Sequence, residues 1–210
     1  MRVGYFTSYY PATSHTFIRR EIHALESQSV EVVRYALRPD PQGLVDPEDI
    51  VEEKKTKYIF RAGITEILRC LGGAVVRQPF GALRMISTAI KLGIRSDRGV
   101  TRHIPYAVEA IILAEWCLRY GVQHLHVHFG TNPTVVGMLA HKLTGIPFSF
   151  TAHGSEEFEK APLLALDVKL SNAAFAVCVS SFGRSQLMRW SPPELWPKIA
   201  LVHCGGNDAF

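Results

Sequence analysis

The feature that most constrains the fold is a regular alternation of short apolar segments with helical segments along most of the chain. Apolar runs with strand-like patterning occur at Val3–Thr7, Val30–Leu37, His124–Phe129, Pro147–Thr151, Ala174–Val179 and Ile199–His203. Segments with helical spacing of apolar residues separate them. Strands that alternate with helices predict an α/β fold with a mostly parallel, doubly wound, Rossmann-like sheet.

The helical segments have recognisable boundaries. Ser14 is a plausible N-cap for the first helix, and Ser181 for the last one. Residues 38–50 are rich in proline and acidic residues, which predicts a loop. Residues 58–95 predict two helices that are broken near Gly72-Gly73 and Gln78-Pro79, and His103–Tyr120 predicts a third.

Polar and glycine residues follow the ends of the predicted strands. They are Ser14-His15-Thr16, Gly130-Thr131-Asn132, His153-Gly154, Ser180-Ser181 and Cys204-Gly205-Gly206. In open α/β sheets, ligands bind outside the carboxyl ends of the strands. Helix N-termini at the same edge offer free N–H groups, which suit phosphates or sugar hydroxyls.

His153 lies just after a predicted strand and just before a glycine. Two interpretations are open at this point: a turn histidine bonded to backbone, or a histidine that faces a sugar or a phosphate. A neutral imidazole both donates and accepts hydrogen bonds, which suits the recognition of hydroxyl groups.

Three histidines, His124, His126 and His128, alternate along one predicted strand and therefore share one face. Two histidines at positions i and i+2 of a strand can bind zinc, but no carboxylate or cysteine lies nearby in the sequence. We expect packed or hydrogen-bonded histidines with His128 nearest the edge of the sheet, and no metal.

Several well-known sites are not supported. The first strand is not followed by G-x-G-x-x-G, and the chain contains neither a P-loop nor a G-x-S-x-G motif. The acidic residues Glu156, Glu157 and Glu159 predict a solvated helix start. The alternative is that Glu157 lines an acceptor cleft.

Positive charge is concentrated in residues 54–102, which hold eleven Lys/Arg against two acidic residues, a net charge of +9 within a chain of +4. Three interpretations are open: a solvated face, a surface that lies on anionic lipid, or a nucleic-acid site. We rank nucleic acid lowest because the chain has no recognised nucleic-acid motif.

Several segments resemble the N-terminal domain of family 4 glycosyltransferases of the GT-B fold, and most closely the bacterial exopolysaccharide enzymes of the colanic-acid or amylovoran type. The segments are Tyr10–Glu21, His126–Asn132, Ser149–Phe158, Val179–Leu187 and Trp196–Gly205. They occur in the expected order over nearly the whole chain. The resemblance implies retaining transfer of a hexose from a UDP- or GDP-hexose to a lipid-linked saccharide, without a cofactor.

The resemblance also implies roles for individual residues. His153, as the catalytic candidate, would contact the donor sugar, beside Gly154. Ser14-His15-Thr16 would lie near the donor diphosphate or the acceptor. The acceptor side would be lined by Gly130-Thr131-Asn132, with His128, Glu157 and Ser181 as further binding candidates.

The resemblance assigns residues 1–205 to the acceptor-side domain and 206–210 to the start of an interdomain linker. Family members carry a second, nucleotide-binding domain, so we expect residues 1–210 alone to be inactive. The basic segment 54–102 would face the inner membrane, which predicts a cytoplasmic, peripheral protein; the first residues lack the layout of a signal peptide. The alternative is a non-catalytic module that binds saccharide or membrane.

Overall fold

The computed structural model describes residues 1–96 and 99–205, and within them one sheet of seven strands runs through the molecule. The strands are β1 (Arg2–Tyr9), β2 (Glu31–Arg38), β3 (Lys57–Tyr58), β4 (His124–His128), β5 (Phe148–Ala152), β6 (Ala176–Cys178) and β7 (Ile199–Leu201). Every neighbouring pair is parallel, and the order is β3-β2-β1-β4-β5-β6-β7. The predicted α/β fold with a parallel sheet is confirmed.

Helices connect the strands. They are α1 (Thr16–Ser27), α2 (Pro47–Lys55), α3 (Ile64–Arg77), α4 (Pro79–Arg95), α5 (Gly99–Arg119), α6 (Asn132–Thr144), α7 (Glu156–Glu159), α8 (Leu166–Asn172) and α9 (Ser181–Arg189). The larger apolar core packs helices α3, α4, α5, α6 and α8 against one face of the sheet. A smaller core joins α1 to β1 and β2. Consecutive residues of β1, Tyr5 and Phe6, belong to different cores, so helices cover both faces.

The order of the strands reverses between β1 and β4. From β1 the chain continues to β2 and β3 on one side, whereas β4 to β7 follow on the other side. The loops after β1 and β4 therefore leave in opposite directions and open a crevice, which is the usual ligand site of such sheets.

The structure corrects several local predictions. Ser14 does not cap a helix: it lies in a 3₁₀ turn, Thr13–His15, and α1 begins after it. The cap of α9 is Ser180 rather than Ser181, since the Ser180 hydroxyl accepts a hydrogen bond from the Gly183 N–H at 3.0 Å. The predicted loop 38–50 ends early because Asp46 caps α2. The short edge strand β3 was not predicted at all.

The predicted helix break at Gln78-Pro79 is confirmed, but the one at Gly72-Gly73 is wrong because both glycines lie inside α3. Gly72 is exposed. The predicted linker 206–210, including Gly206 of the predicted site loop, lies outside the residues that the structure describes.

Two helix glycines predict opposite effects of the same substitution. A Cβ atom at Gly81 in α4 would collide with the backbone carbonyl of Leu143 in α6. We expect Gly81→Ala to lower the free energy of unfolding by about 1–3 kcal/mol in urea titrations, as overpacking does. Gly72→Ala is the matched control, because its Cβ would meet nothing within 4 Å. It should raise stability by up to about 1 kcal/mol through helix propensity. Equal effects of the two variants would contradict this account of how α4 packs on α6.

Candidate active site

Two of the predicted site residues, His15 and His153, meet in the crevice between the ends of β1, β4 and β5. The ring of Phe129 lies between them, with centroids 5.1 Å from His15 and 4.7 Å from His153. Phe17 of α1 contacts the same His153 ring at 4.8 Å. The crevice therefore combines two imidazoles with two apolar rings, a composition suited to a ligand with both hydroxyl groups and a hydrocarbon face.

Phe129 takes up a left-handed backbone conformation, with φ of 72°. Such a conformation is costly for a bulky residue and is found mostly where surrounding contacts impose it, often at functional sites. Here the Phe129 N–H donates to the carbonyl of Thr151 at 2.9 Å, and its carbonyl accepts from the Thr134 hydroxyl at 2.6 Å. These bonds hold the ring between the two histidines. No feature of the sequence marks Phe129 as a site residue.

Behind His153 lies His128, which is completely buried. Its Nδ1 is 3.0 Å from Nε2 of His153, and the two rings stack. His128 therefore supports a residue of the crevice from within the protein. Burial lowers the pKa of His128 well below its usual value, and burial and the proximity of His15 lower that of His153 to about 4. Both imidazoles are neutral at pH 7.

The three alternating histidines share one face of β4, and the predicted hydrogen-bonded packing is confirmed. The ring nitrogens of His126 lie 2.8 Å from the Ser149 hydroxyl and 3.0 Å from the Thr151 hydroxyl. His124 shares the Ser149 hydroxyl at 2.7 Å. Burial, followed by the proximity of His124 and His153, lowers the pKa of His126 to about 3.

One group within the described part of the chain has the composition of a metal site. Glu21, His126 and His128 each place one possible ligand atom within 4.8 Å of the others. Two histidines and a glutamate are a ligand set used for Zn²⁺. Both nitrogens of His126, however, already contact hydroxyl groups. Binding a metal would cost one of those bonds.

The loop after β4 is held by two buried charged residues. The carboxylate of Glu157 accepts hydrogen bonds from the N–H groups of Gly130, at 2.6 Å, and His153, at 2.8 Å. The Lys169 ammonium donates to the carbonyls of Gly130, at 2.7 Å, and Thr131, at 2.9 Å. The loops that carry Phe129 and His153 are thus tied together from below.

This arrangement corrects the expectation for Glu157 alone: Glu156 and Glu159 are exposed at the start of α7, as predicted, but Glu157 is fully buried. Burial raises the pKa of Glu157 to about 7 and lowers that of Lys169 to about 7. Lys169 was not predicted because a lysine between apolar residues of a helix is ordinarily at the surface. No sequence signal marks it as buried.

The other predicted residues occupy the edge of the crevice or lie apart from it. Gly130 and Thr131 form the clamped loop, Asn132 begins α6, and Gly154 follows His153. Ser14 and Ser181 are exposed, and Thr16 is half-buried. In the described structure no hydrogen bond or ring contact joins any of these last three to the histidine cluster.

An open cavity of about 770 Å³ adjoins the crevice on the side of α1. It is lined by Tyr5, Phe17, Glu21, His126, Thr151 and His153, among others. Its volume lies in the range that suits small-molecule ligands.

Neither a protein-family model nor a curated protein matches this chain, but solved structures share its fold. Sucrose-phosphate synthase from Thermosynechococcus elongatus covers 99% of the chain with a TM-score of 0.59 at 12% identity. UDP-GlcNAc 2-epimerase from Methanocaldococcus jannaschii covers 96% with a TM-score of 0.55 at 13% identity. The chain spans 49% and 45% of those two proteins, respectively.

A shorter form of the same synthase matches at 15% identity with a TM-score of 0.54, and this chain spans 91% of it. At these identities the likeness shows the fold. The chain therefore has the Rossmann-like architecture of one half of a GT-B protein, as the resemblance implied.

The buried histidines predict acid sensitivity. His126 has a pKa of about 3 in the folded protein and about 6.5 when unfolded, so the unfolded state binds one more proton between these values. Its contribution to stability is complete above pH 6.5 and is lost as pH falls through this window. We expect His126→Gln to reduce the slope of unfolding free energy against pH by about 1.4 kcal/mol per pH unit between pH 6 and 4. An unchanged slope in urea titrations would contradict the buried, neutral state.

A second prediction concerns the clamp. Glu157→Gln places an amide N–H against one of two backbone N–H groups and leaves Lys169 without its buried counter-charge. We therefore expect the free energy of unfolding to fall by about 1–3 kcal/mol. Hydrogen exchange of the Gly130 and His153 amides should accelerate more than exchange of the β1 amides. Glu159→Gln, an exposed position on the same short helix, is the control. Equal exchange rates in both variants would exclude the clamp.

Proposed function

We propose that the chain is the acceptor-side half of a retaining family 4 glycosyltransferase. It would transfer a hexose from UDP-hexose or GDP-hexose to a lipid-linked saccharide in exopolysaccharide synthesis. The observation that carries the proposal is the meeting of His15, Phe129 and His153 in the crevice where the strand order reverses. The names of the structural neighbours agree with it, since one is a sucrose-phosphate synthase and another was solved with UDP-GlcNAc and UDP.

The proposed chemistry follows from the polarity of the crevice. The neutral His153 imidazole would hydrogen-bond a hydroxyl of the donor sugar, and Phe129 would pack against the hydrocarbon face of a pyranose ring. Negative charge develops on the leaving diphosphate during transfer. The loop Ser14–Thr16, which carries His15 into the crevice, would lie near this diphosphate.

The acceptor would lie on the side of the crevice formed by Gly130, Thr131 and Asn132, with the exposed Ser14 and Ser181 farther out. The side chain of Thr131 does not cap α6, so it is not used by the helix. Glu157 and His128 would act on the ligand through the residues they hold, because both are fully buried.

The proposed lipid-linked acceptor requires access to a membrane, and α4 offers a surface for it. Its exposed side includes a stripe of large apolar residues at helical spacing: Phe80, Leu83, Ile86, Ile90 and Ile94. Basic residues at Arg84 and Lys91 are also exposed. A continuous apolar stripe beside basic residues favours anionic lipid over a merely solvated face or a nucleic-acid site.

None of the helices in residues 1–96 and 99–205 has the length and apolar character needed to cross a bilayer. The proposed attachment is peripheral, through side chains of the basic segment 54–102.

The proposed transfer is tested on the product of the complete reading frame. Labelled UDP-hexoses and GDP-hexoses are supplied with lipid-linked saccharide acceptors, and the anomeric configuration of the product is read by NMR. We expect retention, and a loss of turnover on the order of 100-fold in His153→Ala, as for other lost transition-state hydrogen bonds. His23→Ala, a half-exposed histidine that contacts Glu52, is the control.

Full turnover in His153→Ala would contradict the catalytic role. Saccharide binding without any transfer would instead support the non-catalytic module.

The membrane proposal predicts a specific dependence on two residues. Phe80 and Ile94 are 76% and 75% exposed, so Phe80→Ser with Ile94→Ser should leave stability nearly unchanged. Sedimentation with vesicles of phosphatidylglycerol should fall by about tenfold or more, since each buried side chain contributes about 1.5–3 kcal/mol. Phe182→Ser, at 60% exposure on α9, is the control. Binding that ignores lipid charge, salt and the double substitution would exclude this surface.

A further inference from the structure

The inner imidazole of the histidine cluster has one nitrogen without a partner. His128 is completely buried, and its Nε2 makes no hydrogen bond. Its other nitrogen, Nδ1, lies 3.0 Å from Nε2 of His153. Leaving a buried polar atom unpaired is costly, so its surroundings indicate what the atom does.

The polar group that faces this nitrogen is the carboxylate of Glu21, whose Oε2 lies 3.9 Å from His128 Nε2. Glu21 is held in place by the Tyr5 hydroxyl, which donates to Oε1 at 2.6 Å. The Tyr5 ring in turn packs against His126 and His128, with centroids 5.2 and 5.4 Å away. The carboxylate is thus fixed beside the buried imidazole.

A neutral imidazole carries one N–H and one lone pair, so two proton arrangements are possible along this row. In the first, His128 carries its proton on Nε2, facing Glu21, and its Nδ1 accepts from Nε2–H of His153. In the second, both protons are shifted, and a lone pair of His128 faces the negative oxygen of Glu21. Electrostatics favour the first arrangement, since an N–H dipole attracts a carboxylate and a lone pair repels it.

We propose that the Glu21 carboxylate keeps the proton of His128 on Nε2 by charge–dipole attraction across 3.9 Å. His128 Nδ1 then accepts the hydrogen bond from His153, and this relay keeps the proton of His153 on Nε2. His153 then carries a lone pair on Nδ1 and is an acceptor for a hydroxyl group of the ligand. Glu21 and His128 are positioning residues in this relay, because they reach the crevice only through His153. The inference deepens the proposed function by assigning the polarity of its main hydrogen bond, and it rests on that function only for the identity of the ligand.

The relay also accounts for why these residues need not hold a metal. A Zn²⁺ ion between Glu21, His126 and His128 would take the lone pair of a His126 nitrogen that now contacts Ser149 or Thr151. It would also require His128 Nε2 to be unprotonated. Metal binding and the relay are therefore mutually exclusive, and one experiment separates them.

The test uses the whole chain labelled with ¹⁵N in its histidines. Two-bond ¹H–¹⁵N spectra at pH 7.5 distinguish Nδ1–H from Nε2–H tautomers, with His153→Gln and His128→Gln used to assign the signals. We expect His153 and His128 to carry their protons on Nε2. Glu21→Met should lower the ratio of Nε2–H to Nδ1–H in both rings, because it removes the negative charge that attracts the Nε2–H dipole of His128. Glu159→Met, also a surface glutamate, should leave the ratio unchanged.

Several results would overturn the relay. An Nδ1–H tautomer of His153 in the unsubstituted chain would do so, as would a tautomer ratio that Glu21→Met does not alter. One equivalent of Zn²⁺ that shifts the nitrogen signals of His126 and His128 would assign the cluster to a metal instead. Near-ultraviolet circular dichroism establishes that each variant is folded. None of these readouts requires a nucleotide sugar, so failure of the relay and failure of the proposed transfer are distinguishable.

Discussion

Backbone pairing between β1 and β4 joins two halves of the sheet whose connections run in opposite directions. Val3 to Phe6 pair with His124 to Val127 in parallel register. Because the strands are parallel, both carboxyl ends reach the same edge of the sheet, and the loops that follow diverge. His15 arrives from the first loop, Phe129 from the second, and His153 from the neighbouring β5. A change in this register would separate the three rings.

The polarity and geometry of the crevice depend on the buried residues beneath it. Burial keeps His126, His128 and His153 neutral, so the row of imidazoles exchanges hydrogen bonds and carries no positive charge at pH 7. Glu157 and Lys169 are buried below the adjoining loop and bind its backbone directly. Such buried charges contribute little net stability, but removing one partner is costly, which suits a role in fixing one loop geometry.

The sequence was sufficient to predict the α/β fold with its parallel sheet. It was also sufficient to predict that His153 lies at the end of a buried strand. Periodicity and glycine placement carry this information, since they reflect local rules. The alternation of His124, His126 and His128 also predicted their common face. Glu157 and Lys169 could not be assigned in this way. Their burial depends on loops from distant parts of the chain, and a local pattern places an acidic helix start and a lysine in solvent. Phe129 could not be predicted as a site residue, because no sequence signal indicates a left-handed backbone conformation at a non-glycine residue.

The crevice between β1, β4 and β5 is proposed to bind a nucleotide sugar or a saccharide. A titration of the ¹⁵N-labelled chain with UDP, GDP, their hexoses and lipid-free oligosaccharides, followed by backbone amide shifts, tests it directly. We expect saturable shifts at His15, Phe129, Gly130 and His153, with little change at the opposite edge of the sheet, near Tyr120 and Trp116. Shifts confined to that opposite edge, or none with any of these ligands at millimolar concentration, would contradict it.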